Sequence, residues 1–327
     1  MRKLSIYLLF AAVAASISWP QPACAQNFPE HPVRIIVGFT PGGPADSVAR
    51  SIAERLTQKW DQPVIVQNMP GASGVIGANA VIRSAADGYT LLLADSSSFV
   101  ILPHLRATLP FDPRTDFVPI TIVARQAAVL AARKAFPPNN IPELIAYAKA
   151  NPGKVTFGSF GVGTWSHVKM EEFAKTAGVK MLHVPYRGAA QVVTDMLADR
   201  IDLFLGAIGL FEAHEAAGRI KILATGAQAR LLFRPEIPTI AESGLPGYSV
   251  SVWFGLVGPA GMSAAITNKI QQDVTAVLAD PVYQQKYLGP LRLQGSGESP
   301  AQFKVIVASE FESWRRVIKD LGISVTE

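Results

Sequence analysis

Cysteine and clustered basic charge are scarce in this sequence. Cys24 is the only cysteine among 327 residues, so the chain has no cysteine pair for a disulfide or a metal site. Lys and Arg number 30 against 25 Asp and Glu, and the net charge of +5 is spread along the chain. Proteins that bind nucleic acid usually gather basic residues on one face or tail. We therefore expect no nucleic-acid partner, whereas a mild positive bias suits capture of a small anion.

Long apolar runs are equally rare. Leu4–Ile17 is the one candidate; it follows two basic residues and is short for a membrane span. Small residues at Ala23 and Ala25 occupy the positions that a signal peptidase reads. We predict a signal peptide over residues 1–25, cleaved before Gln26, and export to the periplasm. The only cysteine would leave with that segment.

Motifs of common enzyme classes are absent as well. The sequence contains no G-x-S-x-G elbow, H-E-x-x-H zinc motif or phosphate-binding P-loop. The run Gly71–Gly77 lacks the G-x-G-x-x-G spacing of a dinucleotide loop and instead predicts a tightly packed turn. We expect neither a cofactor nor a metal. A periplasmic hydrolase stays open as an alternative, built on common residues without a motif: Ser159, His167 and Asp195, or Ser166 and His183.

The length and the alternation of apolar patterns predict two α/β units. A chain of roughly 300 residues after the signal peptide exceeds what one core usually serves. The first unit alternates strand and helix patterns, which predicts a parallel sheet with helices on both faces. Its predicted elements are Val33–Val37, Ser47–Trp60, Val64–Val66, Ile76–Ser84 and Tyr89–Leu93.

The second unit repeats this style and is followed by helices alone. Its predicted elements are Val155–Phe157, Ser166–Thr176, Leu182–Val184, Ala189–Ala198, Asp202–Leu205 and Ile220–Leu223. The irregular stretch Leu231–Val250 leads to helices near Ala264–Leu278, Pro281–Tyr287 and Pro300–Leu321. These have no strand partners, so we expect them to return to the first unit. The prediction is a discontinuous lobe 1 (26–126 and 247–327) and a lobe 2 (127–246), joined by a hinge.

Two glycine loops follow strands and precede helices, at the carboxyl ends where open α/β sheets bind ligands. Phe39–Asp46 and Phe157–Thr164 both leave backbone N–H groups uncovered beside a helix start. A helix start carries a partial positive charge, which favours a carboxylate. Asp95–Ser98 follow a third strand end and offer hydroxyls. An ordinary strand-to-helix turn explains each loop alone about equally well, so the pairing is what indicates an anion site.

Motifs along nearly the whole chain after residue 25 resemble one known family. They are Pro32–Val37 running into Pro41–Asp46, then Asn68–Gly74, Asp87–Leu92, His183–Ala190, Pro238–Gly247 and Trp253–Leu256. The sequence thereby resembles the extracytoplasmic receptors of tripartite tricarboxylate transporters, the Bug-type family. This resemblance implies a type-2 periplasmic-binding-protein fold of class α/β, in which two lobes close on a ligand in a hinged cleft.

The resemblance also implies where a ligand would bind. In this family two loops hold a carboxylate largely through backbone amides and ordered water, which corresponds here to Thr40–Gly43 and Gly161–Thr164. The complete predicted ligand-binding set is Phe39, Thr40, Pro41, Gly42, Gly43, Asp46, Ser96, Ser97, Ser98, Gly161, Val162, Gly163, Thr164, Trp165, His167, Tyr186, Arg187, Gly188, Ala189 and Ala207.

The predicted function is that of a periplasmic, monomeric solute-binding protein. It would capture a small di- or tricarboxylic or aromatic acid for the membrane components of a tripartite transporter, without chemistry and without a cofactor. A sensory receptor that presents its ligand to a signalling kinase stays open as an alternative on the same fold. Thr40 stands where the family often has proline, and Trp165 stands where a smaller residue is usual. Because of these two departures, the resemblance does not identify which acid the protein binds.

Overall fold

A computed structural model describes residues 28–106, 108–186, 188–231 and 233–323. The predicted signal peptide (1–25) and the candidate ligand residue Arg187 lie outside these ranges. Within them, no helix combines the length and the apolar character that a bilayer span requires.

Strands in the described ranges form two sheets. The first sheet has the order β11-β4-β10-β3-β1-β2, and the second has the order β7-β6-β8-β5-β9. Their bounds are β1 Val33–Val37, β2 Val64–Asn68, β3 Thr90–Asp95, β4 Phe117–Gln126, β5 Ala128–Arg133, β6 Thr156–Ser159, β7 Leu182–Pro185, β8 Leu203–Ala207, β9 Ile220–Thr225, β10 Val252–Pro259 and β11 Leu293–Gly295.

Helices flank these sheets. They are α1 Pro44–Trp60, α2 Val75–Ile82, α3 Leu102–Leu105, α4 Ile141–Ala150, α5 Trp165–Ala177, α6 Ala189–Leu197, α7 Glu212–Ala216, α8 Ala264–Leu278, α9 Pro281–Tyr283 and α10 Pro300–Leu321. Of these, α1, α2, α5, α6, α8 and α10 lie close to predicted helices, α9 ends earlier than predicted, and α3, α4 and α7 were not predicted. In α1 the residues Val48, Ile52 and Leu56 recur every four positions and are fully buried. The helix α10 begins with a capping box between Ser299 and Gln302.

Both sheets are mixed: the parallel pairing predicted for the first unit is confirmed for β1, β2 and β3, and strands that were not predicted add antiparallel pairs. β1 pairs with β2 and β3 in parallel, but β10 lies antiparallel between β3 and β4. In the second sheet β6 is parallel to β7 and β8, whereas β5 is antiparallel to β8 and β9. Of the strands that run against their neighbours, β5 and β10 are the first that the chain forms after each crossing between the sheets, a role that the local alternation of strand and helix does not reveal.

The chain crosses between the sheets at two neighbouring places. It passes from β4 to β5 through a single residue, Ala127. It returns just before β10, where Val250 donates to the carbonyl of Gly226 (2.7 Å) and Gly226 donates to that of Ala128 (2.9 Å). The terminal helices α8 and α10 then pack on β4, as the predicted return to the first unit requires. The strand β11, which pairs with β4, was not predicted.

The carboxyl ends of the parallel strands in both sheets meet near this crossing. β4 runs in the direction of β3, because both are antiparallel to β10, and it ends at Gln126. β5 starts at Ala128, which pairs with Ala207 at the carboxyl end of β8. The ligand-binding edge expected for each sheet therefore borders the same crossing segment.

Candidate ligand-binding site

The described members of the predicted ligand-binding set all follow carboxyl ends of parallel strands or begin the next helix. Phe39–Gly43 follow β1, Ser96–Ser98 follow β3, Gly161–Thr164 follow β6, Tyr186, Gly188 and Ala189 follow β7, and Ala207 ends β8. Asp46 lies in the first turn of α1, and Trp165 and His167 lie in that of α5. One sheet contributes the first two segments and the other sheet contributes the rest.

The first glycine loop, Phe39–Gly43, projects outward before α1. Thr40, Pro41 and Gly42 are exposed. Gly42 has a φ of 87°, a left-handed backbone conformation that glycine adopts without strain. Its N–H donates to Asp46 Oδ2 over 3.0 Å, so a side chain in the first turn of α1 holds the loop.

Asp46 is the centre of an ionised network under that loop. Its Oδ2 also accepts from Arg50 Nε (2.9 Å), and its Oδ1 accepts from Asn68 Nδ2 (2.9 Å). Asn68 also donates to the carbonyl of Phe39 (3.1 Å) and accepts from Arg50 Nη2 (3.0 Å). Burial by itself would raise the pKa of Asp46, but the hydrogen bonds from Arg50, Gly42 and Asn68 lower it to about 2.

The roles of Arg50 and Asn68 were not predicted from the sequence. Asn68 ends β2 at the same edge of the sheet and opens the motif Asn68–Gly74, and that position was the available signal. The rest of the motif packs tightly: a Cβ on Gly38 would lie 2.7 Å from the Cα of Gly74. The prediction of a tightly packed turn over Gly71–Gly77 is thereby confirmed.

The serine segment after β3 is organised by Asp95. The carboxylate of Asp95 accepts from the backbone N–H groups of Ser97 (2.8 Å) and Ser98 (3.2 Å) and from the Ser98 hydroxyl (2.6 Å). Burial raises the pKa of Asp95, although the hydrogen bonds from Ser98 and Ser97 oppose that shift. The buried hydroxyl of Ser96 has no hydrogen-bond partner within the described part of the chain.

The second glycine loop, Phe160–Thr164, is closed by short local bonds. Thr164 donates to the carbonyl of Gly161 through Oγ1 (2.7 Å) and through its N–H (3.3 Å). Ser159 Oγ accepts from the N–H of Gly161 (3.2 Å) and also lies 2.7 Å from His183 Nε2. At the tip, Val162 leaves 50% of its surface exposed.

Two stacked imidazoles lie beneath this loop. The rings of His167 and His183 are 3.9 Å apart at an angle of 22°, and His183 stacks in turn on Phe157. His167 Nδ1 accepts from the N–H of Gly163 over 3.1 Å, and its Nε2 lies 3.8 Å from Glu171 Oε1.

Burial governs the charge of these groups. It lowers the pKa of His167, and burial together with the neighbouring His167 lowers the pKa of His183 to about 4. Burial also raises the pKa of Glu171. Both imidazoles are therefore neutral at neutral pH.

Among the described residues, His167, Glu171 and His183 form a group whose donor atoms come within 4.8 Å of one another, as a metal site requires. The arrangement suits an ion poorly, because imidazole lone pairs lie in the ring planes and these planes are nearly parallel. His167 Nδ1 already accepts from Gly163, and His183 Nε2 is engaged with Ser159. A zinc ion would need two converging nitrogens at about 2.0–2.1 Å.

Tyr186 follows β7 and is tied to α6. Its hydroxyl donates to Asp195 Oδ2 over 2.7 Å, and Arg200 contacts the other oxygen of Asp195 (3.2 Å). Burial and the bond to Asp195 raise the pKa of Tyr186 to about 12. Asp195 thus pairs with a tyrosine and an arginine, and in the described part of the chain no hydrogen bond joins it to the Ser159 and His167 that a hydrolase would need beside it.

Trp165 lies in the core, with only 4% of its surface exposed. Its ring packs edge-on against Phe160, 5.3 Å between centroids. The side chain therefore supports the second loop from inside, and contact with a ligand stays a prediction. Ser159 is fully buried as well, so it presents no exposed nucleophile. What the two sets of strand ends do offer is backbone N–H groups, hydroxyls and helix starts, which suit an anion.

Comparisons with known proteins show the family and the fold. A family model described as the tripartite tricarboxylate transporter family receptor matches residues 48–323. A protein of R. palustris, solved with adipate, is 31% identical with a TM-score of 0.79 and covers 91% of this chain and 99% of its own. The periplasmic binding protein BugD is 32% identical, with a TM-score of 0.75 over 91% of this chain and 99% of its own.

A further similar structure is MatC from Rhodopseudomonas palustris with bound malate. It is 27% identical, with a TM-score of 0.75 over 89% of this chain and 100% of its own. These likenesses confirm the predicted α/β periplasmic-binding-protein fold with two lobes. The chain belongs to the receptor family of the tripartite tricarboxylate transporters, the Bug-type family that its motifs resemble.

Proposed function

We propose that this receptor binds a small carboxylate between its two sheets, with the first and second glycine loops on opposite walls. The observation that carries the proposal is the placement of both loops at carboxyl ends that border one crossing at Ala127. Backbone N–H groups and helix starts at such ends favour an anion. The adipate and malate named with two similar structures support the same ligand class.

The remaining parts of the proposal concern location and motion. The chain would be exported by its signal peptide and would hand its ligand to the membrane components of the transporter. Residues 26–126 with 247–327 would form one lobe, and 127–246 the other. A ligand that contacts both lobes stabilises the closed form over the open one, and the two neighbouring crossings would supply the hinge.

Calorimetry with matched charged and neutral ligands tests this function. The protein would be purified from a periplasmic fraction, where intact-mass measurement should give a chain that begins at Gln26. Adipate and malate would be titrated beside adipamide, which has nearly the same shape as adipate without its charges. We expect micromolar or tighter binding of at least one acid and loss of binding for the neutral amide.

Two results would contradict the proposal. One is equal binding of adipate and adipamide, because backbone N–H groups aimed at an anion must distinguish them. The other is a panel of aliphatic and aromatic acids that gives neither heat nor thermal stabilisation. Chromatography of the ligand after incubation should return it unchanged, whereas a product would revive the hydrolase alternative.

A further inference from the structure

We propose that His167 and His183 are positioning residues that shape the second glycine loop, and that His167 must be neutral for that loop to hold a carboxylate. The inference rests on the proposed carboxylate function. It concerns side chains that act through the loop and need not touch the ligand.

The first support is that one imidazole stack fastens the loop at two points. Gly163 donates to His167 Nδ1 (3.1 Å) at one end of the loop. At the other end Ser159 Oγ contacts Gly161 through its N–H and its carbonyl and contacts His183 Nε2 (2.7 Å). A rigid pair of rings therefore sets the distance between the two fastened ends.

The second support is the proton count at His167. An N–H donor on Gly163 requires an unprotonated Nδ1, so the neutral ring carries its hydrogen on Nε2. Protonation would place N–H groups on both nitrogens and set a donor against the N–H of Gly163. His183 does not share this conflict, because its Nε2 can donate to Ser159 in either state.

The surroundings keep this stack neutral. His183 on β7 lies face to face with His167, so a charge on one ring disfavours a charge on the other. Glu171, one turn along α5, is 3.8 Å from His167 Nε2. Lys169 pairs with Glu172 (2.7 Å) and lies over the indole of Trp314 in α10, so its charge is engaged outside the stack. Burial lowers the pKa of His167 and raises that of Glu171, which means that burial disfavours the charged form of each group beneath the loop.

Two substitutions of His167 separate the effect of its hydrogen-bond acceptor from that of its ring. In His167→Asn, the amide oxygen sits near the place of Nδ1 and accepts from Gly163 without titrating. In His167→Ala, that acceptor is lost and Gly163 is left with an unpaired donor. We expect affinity for the tightest-binding acid to fall about tenfold or more in H167A and to stay within about threefold in H167N.

The dependence of ligand affinity on pH distinguishes this positioning role from a merely structural one, which would not change it. Between neutral pH and about pH 5, wild-type affinity should fall more than that of H167N, because only the wild-type ring gains a proton. Comparing the two proteins at each pH cancels protonation of the ligand. His104→Asn is the matched control: His104 is a half-buried histidine of α3, which belongs to neither loop, and it packs edge-on against Phe311. It should keep the wild-type profile.

A ligand-free measurement keeps this inference distinct from the proposed function. The amide signal of Gly163 in glycine-labelled protein should shift on acidification in the wild type and stay in place in H167N. Equal affinity of H167A and wild type, with melting temperatures unchanged, would overturn the positioning role. Superimposable pH profiles of wild type and H167N would overturn the requirement for a neutral ring. If no acid binds any variant while the Gly163 signal still titrates, the proposed function fails and the positioning role survives.

Discussion

The two glycine loops look alike in sequence but are supported by opposite kinds of chemistry. The first rests on an ionised network, in which the carboxylate of Asp46 is balanced by Arg50 and hydrogen-bonded by Asn68. The second rests on neutral rings, the stacked His167 and His183. Both solutions keep net negative charge from accumulating beneath a loop that is to receive an anion. Beneath the first loop, the charge of Arg50 compensates that of Asp46. Beneath the second loop, the two stacked rings carry no charge.

The difference predicts different weaknesses. The pKa of Asp46 is lowered to about 2, so the first support survives mild acid. However, 53% of the Arg50 side chain is exposed, so salt can screen its contribution. The second support contains no ion pair to screen, but each ring can gain a proton. Acid should therefore weaken the second loop and salt the first.

Removing the carboxylate of Asp46 is the change with the largest expected effect. In Asp46→Ala, Gly42, Arg50 and Asn68 each lose the hydrogen bond to that carboxylate, and the first loop loses the side-chain bond that ties Gly42 to α1. We expect a loss of about 2–3 kcal/mol in the free energy of unfolding. Affinity for the carboxylate ligand should fall about hundredfold.

Urea unfolding and calorimetry measure these two effects. The matched control is Asp112→Ala, which removes an aspartate that pairs with Arg114 at the surface. That variant should unfold within about 1 kcal/mol of the wild type and bind normally. Normal binding by D46A would show that the first loop keeps its shape without the network.

The placement of both loops was predictable because it depends on local order. A strand, a glycine-containing turn and a helix start, as in Val33–Val37 leading to Pro44, put a loop at a carboxyl end whatever the rest of the chain does. The supports beneath the loops were not predictable in this way. Arg50 and Asn68 are 18 residues apart, and Ser159 and His183 are 24 apart. The packing of α1 on β2 brings the first pair together, and the pairing of β6 with β7 brings the second.

The crossing strands escaped prediction for a related reason. β5, with the sequence AVLAAR, is rich in alanine, and β4 contains Pro119; both features weaken the signal for a strand. Their pairing is also nonlocal: Val252 of β10 lies beside Gln126 of β4. The mixed character of both sheets arises from these crossing strands, so it could not be derived from the alternating pattern of strands and helices.

Acid should destabilise the protein through His183, the effect of intermediate size. In the unfolded chain this ring protonates near its ordinary pKa of 6.5, but in the folded chain only near about 4. Acid therefore favours unfolding: the stabilisation is complete above pH 6.5 and declines as the pH falls toward 4. We expect the decline to reach about 2 kcal/mol over this window.

His183→Gln should flatten this part of the stability profile, because the amide can bond Ser159 but does not titrate. Denaturant unfolding at a series of pH values measures the profile for both proteins. The comparison is made as a change with pH, so a constant offset between the proteins does not affect it. Parallel wild-type and H183Q curves below pH 6.5 would mean that His183 gains its proton in the folded protein as readily as in the unfolded one.

The smallest expected effect is a difference between the two loops in how salt changes the loss of ligand affinity. Arg50→Gln removes the charge that balances Asp46, but an ion pair whose arginine is half-exposed contributes only about 0.5 kcal/mol. We expect a two- to threefold loss of ligand affinity at low salt. That difference should vanish at about 1 M salt, where screening already weakens the wild-type pair. His167→Ala should instead bind about equally poorly at both ionic strengths relative to the wild type, because the bond that it loses joins neutral groups. A salt-dependent deficit in H167A, or a salt-independent one in R50Q, would contradict the division into an ionised and a neutral support, since each deficit reports the kind of interaction that was removed.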